Sequence, residues 1–401
     1  MRSRIPSEIA ARKWTTPATE MIQRQSDQYS HLAALDGFRA CLALWVYTGH
    51  LAKAVGYSNK LLALHPLAVD LFMVLSGFLM VHTWKGRHGY DHPLGKTAIK
   101  FYLARLFRIA PLYFVLLGVC FFLANPLALM KDQIETIFPP PWITDTANYH
   151  PLTSWAVTSW QWWATHLSFV FGAIPGLQSS TPLPDWSLSL EMQFYVLFPL
   201  VLLTFRTKNL QIALVVISVA MAILSPRLLG NYLDAGSWAH FGQPSFITYR
   251  LNAFVAGMLA ANWLRHHIQT NNSITKTSVF YILLGLVCIA PLTKPVILLY
   301  GLFFILISAA QPKLNRWLSG RSLHFLGEIS YSIYLAHIFV VTLVVSLLIR
   351  SDEFLSFAPE LRFFFALAAT LPVVLALSYL LYRSVEKPGI TLGRALNKRL
   401  N

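Results

Sequence analysis

Three residue types that carry chemistry share one stretch near the start of the chain, residues 36–50. Arg39 and His50 are 11 residues apart, which in a helix gives about 16 Å of rise and roughly 20° of deviation from a common face. Asp36 precedes Arg39 by about one turn and is close enough to pair with it. Because ionisable groups facing lipid are costly and usually functional, we expect this polar stripe to face protein or a cavity.

A second constellation begins a later apolar segment. Asp185 or Ser187 is a plausible N-cap, and Glu191 then falls in the first turns, with Tyr195 one turn further along the same face. If this helix enters from the outer side, Glu191 lies in the outer half of the membrane near His50. There it could orient the imidazole and stabilise its charged form. Alternatively, Glu191 simply favours the positive end of the helix dipole, and His50 simply hydrogen-bonds a neighbouring helix.

Two further sites involve basic side chains. Arg105 and Arg108 are one turn apart just before Pro111, a spacing that makes a forked site for phosphate or carboxylate. The alternative interpretation is an anchor for lipid head groups at the cytosolic end of the helix. Farther along, Tyr334 and His337 lie one turn apart in another apolar segment, and we expect His337 near the middle of the membrane.

Two smaller stretches have structural interpretations. Residues 76–77, a Ser-Gly pair inside an apolar run, predict a site where two helices pack closely. Glu386 and Lys387 follow the last apolar segment, and we expect them to contact solvent or lipid head groups.

The composition is that of a membrane protein with many crossings. Hydrophobic residues make up 55% of the chain and charged residues only 12%, whereas a soluble protein carries about a quarter charged residues. The formal net charge of +15 would suit nucleic acid, but the distribution of the basic residues favours a membrane surface. The three cysteines lie far apart within apolar runs, so we expect buried thiols, no disulfide framework and no metal site.

About ten apolar segments are long enough to cross a membrane, some of them marginally. We therefore predict an all-α polytopic membrane protein with about ten transmembrane helices around a polar cavity. The predicted segments are residues 38–55, 64–84, 106–124, 187–205, 210–228, 249–264, 278–291, 295–310, 329–348 and 361–382.

The lysines and arginines predict the orientation. With a cytosolic N-terminus, about three quarters of the 32 basic residues fall on the cytosolic side, as the positive-inside rule requires. We therefore expect both termini in the cytosol, a tail at residues 1–33 without a secretory signal peptide, a membrane domain at 34–382 and a second tail at 383–401.

One predicted outer loop, residues 125–186, is much longer than the others. Its tryptophans, which include four between residues 155 and 163, resemble the aromatic belt at a membrane interface. We weigh two interpretations of residues 142–163. One is a partly re-entrant or surface helix that anchors the loop, and the other is a platform on which sugar rings stack.

These stretches, in this order, resemble acyltransferase family 3, the integral-membrane acyltransferases that mostly O-acetylate cell-envelope glycans and some secreted small molecules. The family pattern has a basic residue, ten intervening residues and a histidine, then an "fFxLSGFL" stretch, an arginine pair, "WSLxvEeqFY", "lGxiSYsiYLxH" and a closing "vErP". The matching positions are Arg39 and His50, residues 71–79, Arg105 and Arg108, 186–195, 326–337 and 385–388. The chain departs from the pattern at Met192, in place of a second acid, and at Lys387, in place of arginine.

The resemblance implies a mechanism. The donor would be a cytosolic acyl-coenzyme A, usually acetyl, whose phosphates dock at Arg39, Arg105 and Arg108. His50 would take the proton from the acceptor hydroxyl, and Glu191 would orient it. The supporting residues would be Asp36, Trp186, Tyr195, Tyr334 and His337.

The partners implied are acyl-coenzyme A, lipids and an acceptor that is a glycan, a glycolipid or a glycosylated small molecule, such as an exopolysaccharide or O-antigen, in the bacterial inner membrane. We expect the membrane module alone, without the extra domain that some relatives carry. Two other classes compete: a transporter or flippase of an acylated lipid or glycan, because intramembrane ions also mark transport paths, and a non-catalytic receptor. Transporters often have inverted repeats and broken helices, neither of which is evident in this sequence. Consumption of acetyl-coenzyme A by the purified protein would separate these classes.

Overall fold

The computed structural model is helical in the part of the chain that it describes, with no strand there. The described residues are 17–88, 95–139, 160–174, 177, 180–233, 245–270, 273–292, 294–307 and 312–400. The helices are α1 (Pro17–Ala54), α2 (Lys60–Ala63), α3 (Pro66–His88), α4 (Lys96–Ile137), α5 (Trp160–Leu167), α6 (Trp186–Leu203), α7 (Lys208–Leu233), α8 (Leu251–Gln269), α9 (Lys276–Ile289), α10 (Lys294–Ile307), α11 (Pro312–Leu318), α12 (Arg321–Glu328), α13 (Ser330–Leu348), α14 (Asp352–Ser356), α15 (Pro359–Leu381) and α16 (Lys387–Arg399).

Each of the ten predicted segments coincides with a helix, and the all-α prediction is confirmed for the described residues. Within the described ranges, six stretches are long and apolar enough to cross a membrane: Pro66–Trp84, Lys96–Ile137, Trp186–Arg206, Lys208–Leu228, Ser330–Leu348 and Pro359–Arg399. About 20 helical residues span the hydrocarbon core, so the short helices α9 and α10, with 14 residues each, are marginal. The count of ten crossings therefore stays a prediction.

Helix α8 is the packing centre of the bundle. Every residue from Leu251 to Leu264 is buried, around the whole circumference of the helix. It meets α3 through two glycines: a Cβ on Gly77 would clash with the carbonyl oxygen of Phe254, and a Cβ on Gly257 would clash with that of Val74. Small residues let helix backbones approach this closely, so the packing site predicted at residues 76–77 is confirmed for Gly77.

Helix α6 starts beside the middle of α4 because a polar cluster fixes its first residue. Tyr113 of α4 donates a hydrogen bond to Oδ2 of Asp185 (3.0 Å), which also accepts one from Thr181 (2.9 Å). The Tyr113 hydroxyl lies 2.7 Å from Nδ1 of His166, and Nε2 of His166 lies 2.9 Å from Oγ of Ser180. Asp185 is thus at the N-cap position, but its side chain makes no capping hydrogen bond; its Oδ2 bonds these partners instead.

The segment before α6 returns into the bundle along α4. The ring of Trp163 packs on Phe121 (5.2 Å between centroids), while His166, about one turn later, reaches Tyr113. Trp162 is buried and donates to Ser180 (3.0 Å). The predicted loop 125–186 is therefore not all loop: α4 continues to Ile137, and residues 160–174 pack against α4. Trp142 and Trp155 lie outside the described residues.

This start point sets the position of Glu191 in the bundle. Helices α4 and α6 run antiparallel, since Tyr113 contacts Asp185 while Tyr102, three turns earlier, donates to the carbonyl oxygen of Val196 (3.1 Å). Glu191 therefore lies at the same height in the bundle as Arg105 and Arg108 of α4. The expected position of Glu191 beside His50 is therefore wrong, whereas its depth in the membrane stays a prediction.

The end of the last long helix differs from the expected solvated stretch. Residues Tyr382–Glu386 form a π-helical turn between α15 and α16, in which the backbone N–H of Lys387 bonds the carbonyl oxygen of Tyr382. A wide turn here accommodates Pro388, which has no N–H to donate. Glu386 is buried and accepts a hydrogen bond from Ser332 (2.8 Å), so its predicted head-group contact is wrong, whereas Lys387 is exposed.

The contact between α3 and α8 gives a direct test of the packing. We expect Gly257→Ala to lower the midpoint of thermal unfolding of the purified protein markedly, because the new methyl group meets the α3 backbone, which cannot move aside. Gly118→Ala is the matched control: it is also a glycine inside a long helix, with no atom within 4 Å of the added Cβ. We expect it to be neutral or slightly stabilising. Equal midpoints for the two variants would contradict this packing.

Candidate active site

A cavity of about 290 Å³ lies between α1, α3, α4, α6 and α13. Its lining carries the charged residues Arg39, Arg105, Arg108 and Glu191 together with hydroxyl-bearing and apolar side chains. Three stretches that are far apart in sequence thus converge on one space. Such a concave site with a few polar groups is the usual form of a small-molecule site.

The arginines form one side of the cavity. Arg39 pairs with Asp36 at 3.7 Å, as their spacing predicted, and Asp36 also lies 3.4 Å from His324. The guanidinium of Arg105 lies 5.7 Å from the centre of the Tyr195 ring, and its Nε is buried without a hydrogen-bond partner. No ion pair holds Arg105 or Arg108 within the described ranges.

Glu191 belongs to this same side. Its Oε1 accepts hydrogen bonds from Ser76 of α3 (2.7 Å) and from Tyr195, one turn further along α6. The prediction that Glu191 and Tyr195 share one face of the helix is thus confirmed. In the part of the chain that the structure describes, no hydrogen bond joins Glu191 to His50, so the expectation that Glu191 orients His50 is wrong.

Tyr334 and Ser187 close the opposite end of the cavity. Their hydroxyl groups lie 2.7 Å apart, joining α13 to the first turn of α6. The Tyr334 ring also packs near Phe72 (6.1 Å between centroids) and near His337 (6.0 Å). Tyr334 therefore separates the cavity from the imidazoles beyond it. Trp186, also among the predicted supporting residues, is half-buried and packs on the core.

Beyond Tyr334 lies a row of three imidazoles. The ring of His50 lies 5.3 Å from that of His337 and 4.7 Å from that of His65 (centroid distances). We call these three residues the histidine row. Nδ1 of His337 lies 2.7 Å from the carbonyl oxygen of Tyr334, and Nδ1 of His65 lies 2.8 Å from that of Leu62.

The sequence-predicted residues thus fall into two groups. Arg39, Arg105, Arg108 and Glu191 share the cavity, while His50 and His337 share the row, with Tyr334 between them. Among the described residues, no three His, Cys, Asp or Glu side chains are arranged to hold a metal ion.

Sequence reasoning missed Ser76, Ser187 and His65 as members of the site. Ser76 and Ser187 lie inside recognised motifs, so their hydroxyls could have been found there. Only the tertiary position of α3 brings His65 to His50, and no spacing rule predicts that contact.

Comparison with known proteins places the chain among acyltransferases. O-acetyltransferase OatA of Staphylococcus aureus (strain NCTC 8325 / PS 47) is 26% identical over 358 residues, covering 83% of this chain and 55% of that protein. Peptidoglycan O-acetyltransferase OatA of Listeria monocytogenes is 24% identical over 352 residues, covering 81% of this chain and 52% of that protein. No solved structure matches the chain.

The chain spans about half the length of the curated relatives it matches. The family model described as an acyltransferase domain matches residues 32–383, which include the cavity and the histidine row. The chain therefore belongs to acyltransferase family 3, as the order of its motifs predicted.

Proposed function

We propose that this protein is an integral-membrane O-acyltransferase of the bacterial inner membrane. It transfers an acyl group, in the simplest case acetyl, from cytosolic acyl-coenzyme A to a hydroxyl of a glycan, a glycolipid or a glycosylated small molecule on the other side. Both termini then face the cytosol, and ten crossings surround the cavity, in keeping with the distribution of the basic residues.

The observation that carries this proposal is the convergence of three arginines on one cavity within an apolar bundle. Burying like charges together is unfavourable unless an anion joins them, and the only recorded ion pair of the three in the described residues is that of Arg39 with Asp36. Guanidinium groups bind phosphate in a forked geometry. The carboxylates of Asp36, Glu191 and Glu386 offset part of this positive charge. The phosphates of coenzyme A would add negative charge directly at the arginines.

Glu191 has a positioning role in this scheme. It anchors the hydroxyls of Ser76 and Tyr195, and the Tyr195 ring lies beside the guanidinium of Arg105. These contacts fix Arg105 between two helices before the donor arrives. Preorganised charges of this kind cost no rearrangement when the ligand binds.

The chemistry takes place at the far end of the cavity. With its phosphates at the arginines, the donor extends its acyl end towards Tyr334, and the acceptor approaches His50 from the other face. His50 removes the proton of the acceptor hydroxyl as its oxygen attacks the thioester carbonyl. The carbon–sulfur bond then breaks, and coenzyme A leaves as the thiolate. The name of the Listeria relative, a peptidoglycan O-acetyltransferase, favours an O-acetylated glycan as the product.

The two ends of the site should fail in different ways. We expect Arg105→Gln and Arg108→Gln each to raise the KM for acetyl-coenzyme A about 10- to 100-fold. This is the change in affinity that the loss of one charge-assisted hydrogen bond to a phosphate would cause. The assay is release of coenzyme A thiol by purified protein, with an N-acetylglucosamine oligomer as acceptor. Arg206→Gln is the control, since Arg206 is exposed and outside the cavity. An equal rise in all three would instead indicate lipid anchoring.

Removing the proposed base should affect turnover. We expect His50→Ala to lower kcat about 100- to 10,000-fold, the usual contribution of a general base, while binding of acetyl-coenzyme A is retained. Because no hydrogen bond in the described structure couples His50 to Glu191, the effects of His50→Ala and Glu191→Gln on kcat/KM should multiply. Near-normal turnover in His50→Ala would end the assignment, and a double variant no worse than His50→Ala would mean that the two act as a unit.

A further inference from the structure

His65 is the member of the histidine row that the scheme above does not use. It precedes α3 directly and packs its ring edge-on against that of His50, 4.7 Å away between centroids. His65 itself is only 7% exposed. Its neighbours Leu64 and Pro66 are both exposed, so the ring lies at the boundary between the row and the outside of the bundle.

The position of His65 depends on a glycine in the neighbouring helix. Gly49 of α1 lies under the imidazole, and a Cβ at that position would clash with the ring. Any other residue would displace the His65 ring from its present position. The backbone therefore leaves room for an imidazole at this point, one residue before His50.

The hydrogen bonds fix which nitrogen of each flanking ring can accept a proton. A carbonyl oxygen only accepts, so Nδ1 of His65 carries a proton that it donates to Leu62 (2.8 Å). Nδ1 of His337 likewise donates to Tyr334 (2.7 Å). In the neutral rings, both Nε2 atoms then present lone pairs, and Nε2 of His337 is buried with no partner among the described residues.

His50 thus lies between two rings that can accept a proton, and the two differ in their surroundings. His337 is fully buried beside Tyr334 and the cavity, whereas His65 adjoins exposed residues. A proton passed to His337 stays inside the bundle. A proton passed to His65 lies next to the surface of the bundle.

We propose that His65 is the proton exit of the site: it receives the acceptor's proton from His50 and releases it to water on its exposed side. This inference rests on the proposed function and adds the route by which His50 is reset. The acceptor O–H proton moves to His50, then to Nε2 of His65, and then to water. The departing coenzyme A thiolate takes its proton from water on the donor side, so that all protons balance.

The test compares variants that remove the imidazole with variants that move it. We expect His65→Gln, which keeps an N–H donor for Leu62, and His65→Ala to lower kcat about 10- to 100-fold with an unchanged KM for acetyl-coenzyme A. Imidazole added to the medium should restore turnover in His65→Ala. Gly49→Ala, which displaces the ring without removing it, should lower kcat in the same way. His267→Gln is the control, since His267 stacks on Trp263 at 4.7 Å, away from the site.

The outcomes separate this inference from the proposed function. Wild-type turnover in both His65 variants, or a loss in His65→Ala that imidazole does not restore although coenzyme binding persists, overturns the proton exit. His50→Ala measured alongside reports on the function itself. If His50→Ala is inactive while His65→Gln turns over normally, only the proposed role of His65 is wrong. If His50→Ala is active, the assignment of His50 as the base is wrong as well.

Discussion

The constraint on which the structure depends is the cost of holding guanidinium groups inside an apolar helix bundle. Arg39, Arg105 and Arg108 face one cavity, because facing lipid would be far less favourable. For the three side chains to reach this cavity, helices α1, α3, α4 and α6 must meet around a narrow space. The close contact of α3 with α8 through Gly77 and Gly257 provides the rigid wall from which Ser76 reaches Glu191.

Features that depend on a single helix were predicted well from the sequence. Apolar runs located the helices, and one-turn spacing paired Asp36 with Arg39 and Glu191 with Tyr195. Prediction from the sequence failed where one helix is placed against another. Residue counting from the membrane surface could not reveal that Tyr113 and Asp185 start α6 beside the middle of α4. For the same reason it set Glu191 beside His50 rather than beside Arg105, and it overlooked His65.

The corrected geometry divides the site into two chemical zones. One zone carries arginines and a carboxylate and suits the phosphates of a coenzyme A donor. The other carries three imidazoles, two of which hydrogen-bond backbone carbonyl oxygens, and suits proton transfer from a hydroxyl. Tyr334 and Ser187 join the zones through a hydroxyl pair (2.7 Å). A donor and an acceptor that arrive from opposite faces would meet there, and this arrangement explains why one polar stripe of α1 contributes to both zones through Arg39 and His50.

The central claim is therefore that donor and acceptor enter from opposite sides of the membrane. The most direct test reconstitutes the purified protein in sealed vesicles sorted by the accessibility of the C-terminus. Labelled acetyl-coenzyme A is added outside, and an N-acetylglucosamine oligomer is trapped inside. Entry from opposite sides predicts labelled oligomer in the lumen only of vesicles whose C-termini face outward. Equal labelling in vesicles of the reverse orientation would contradict it.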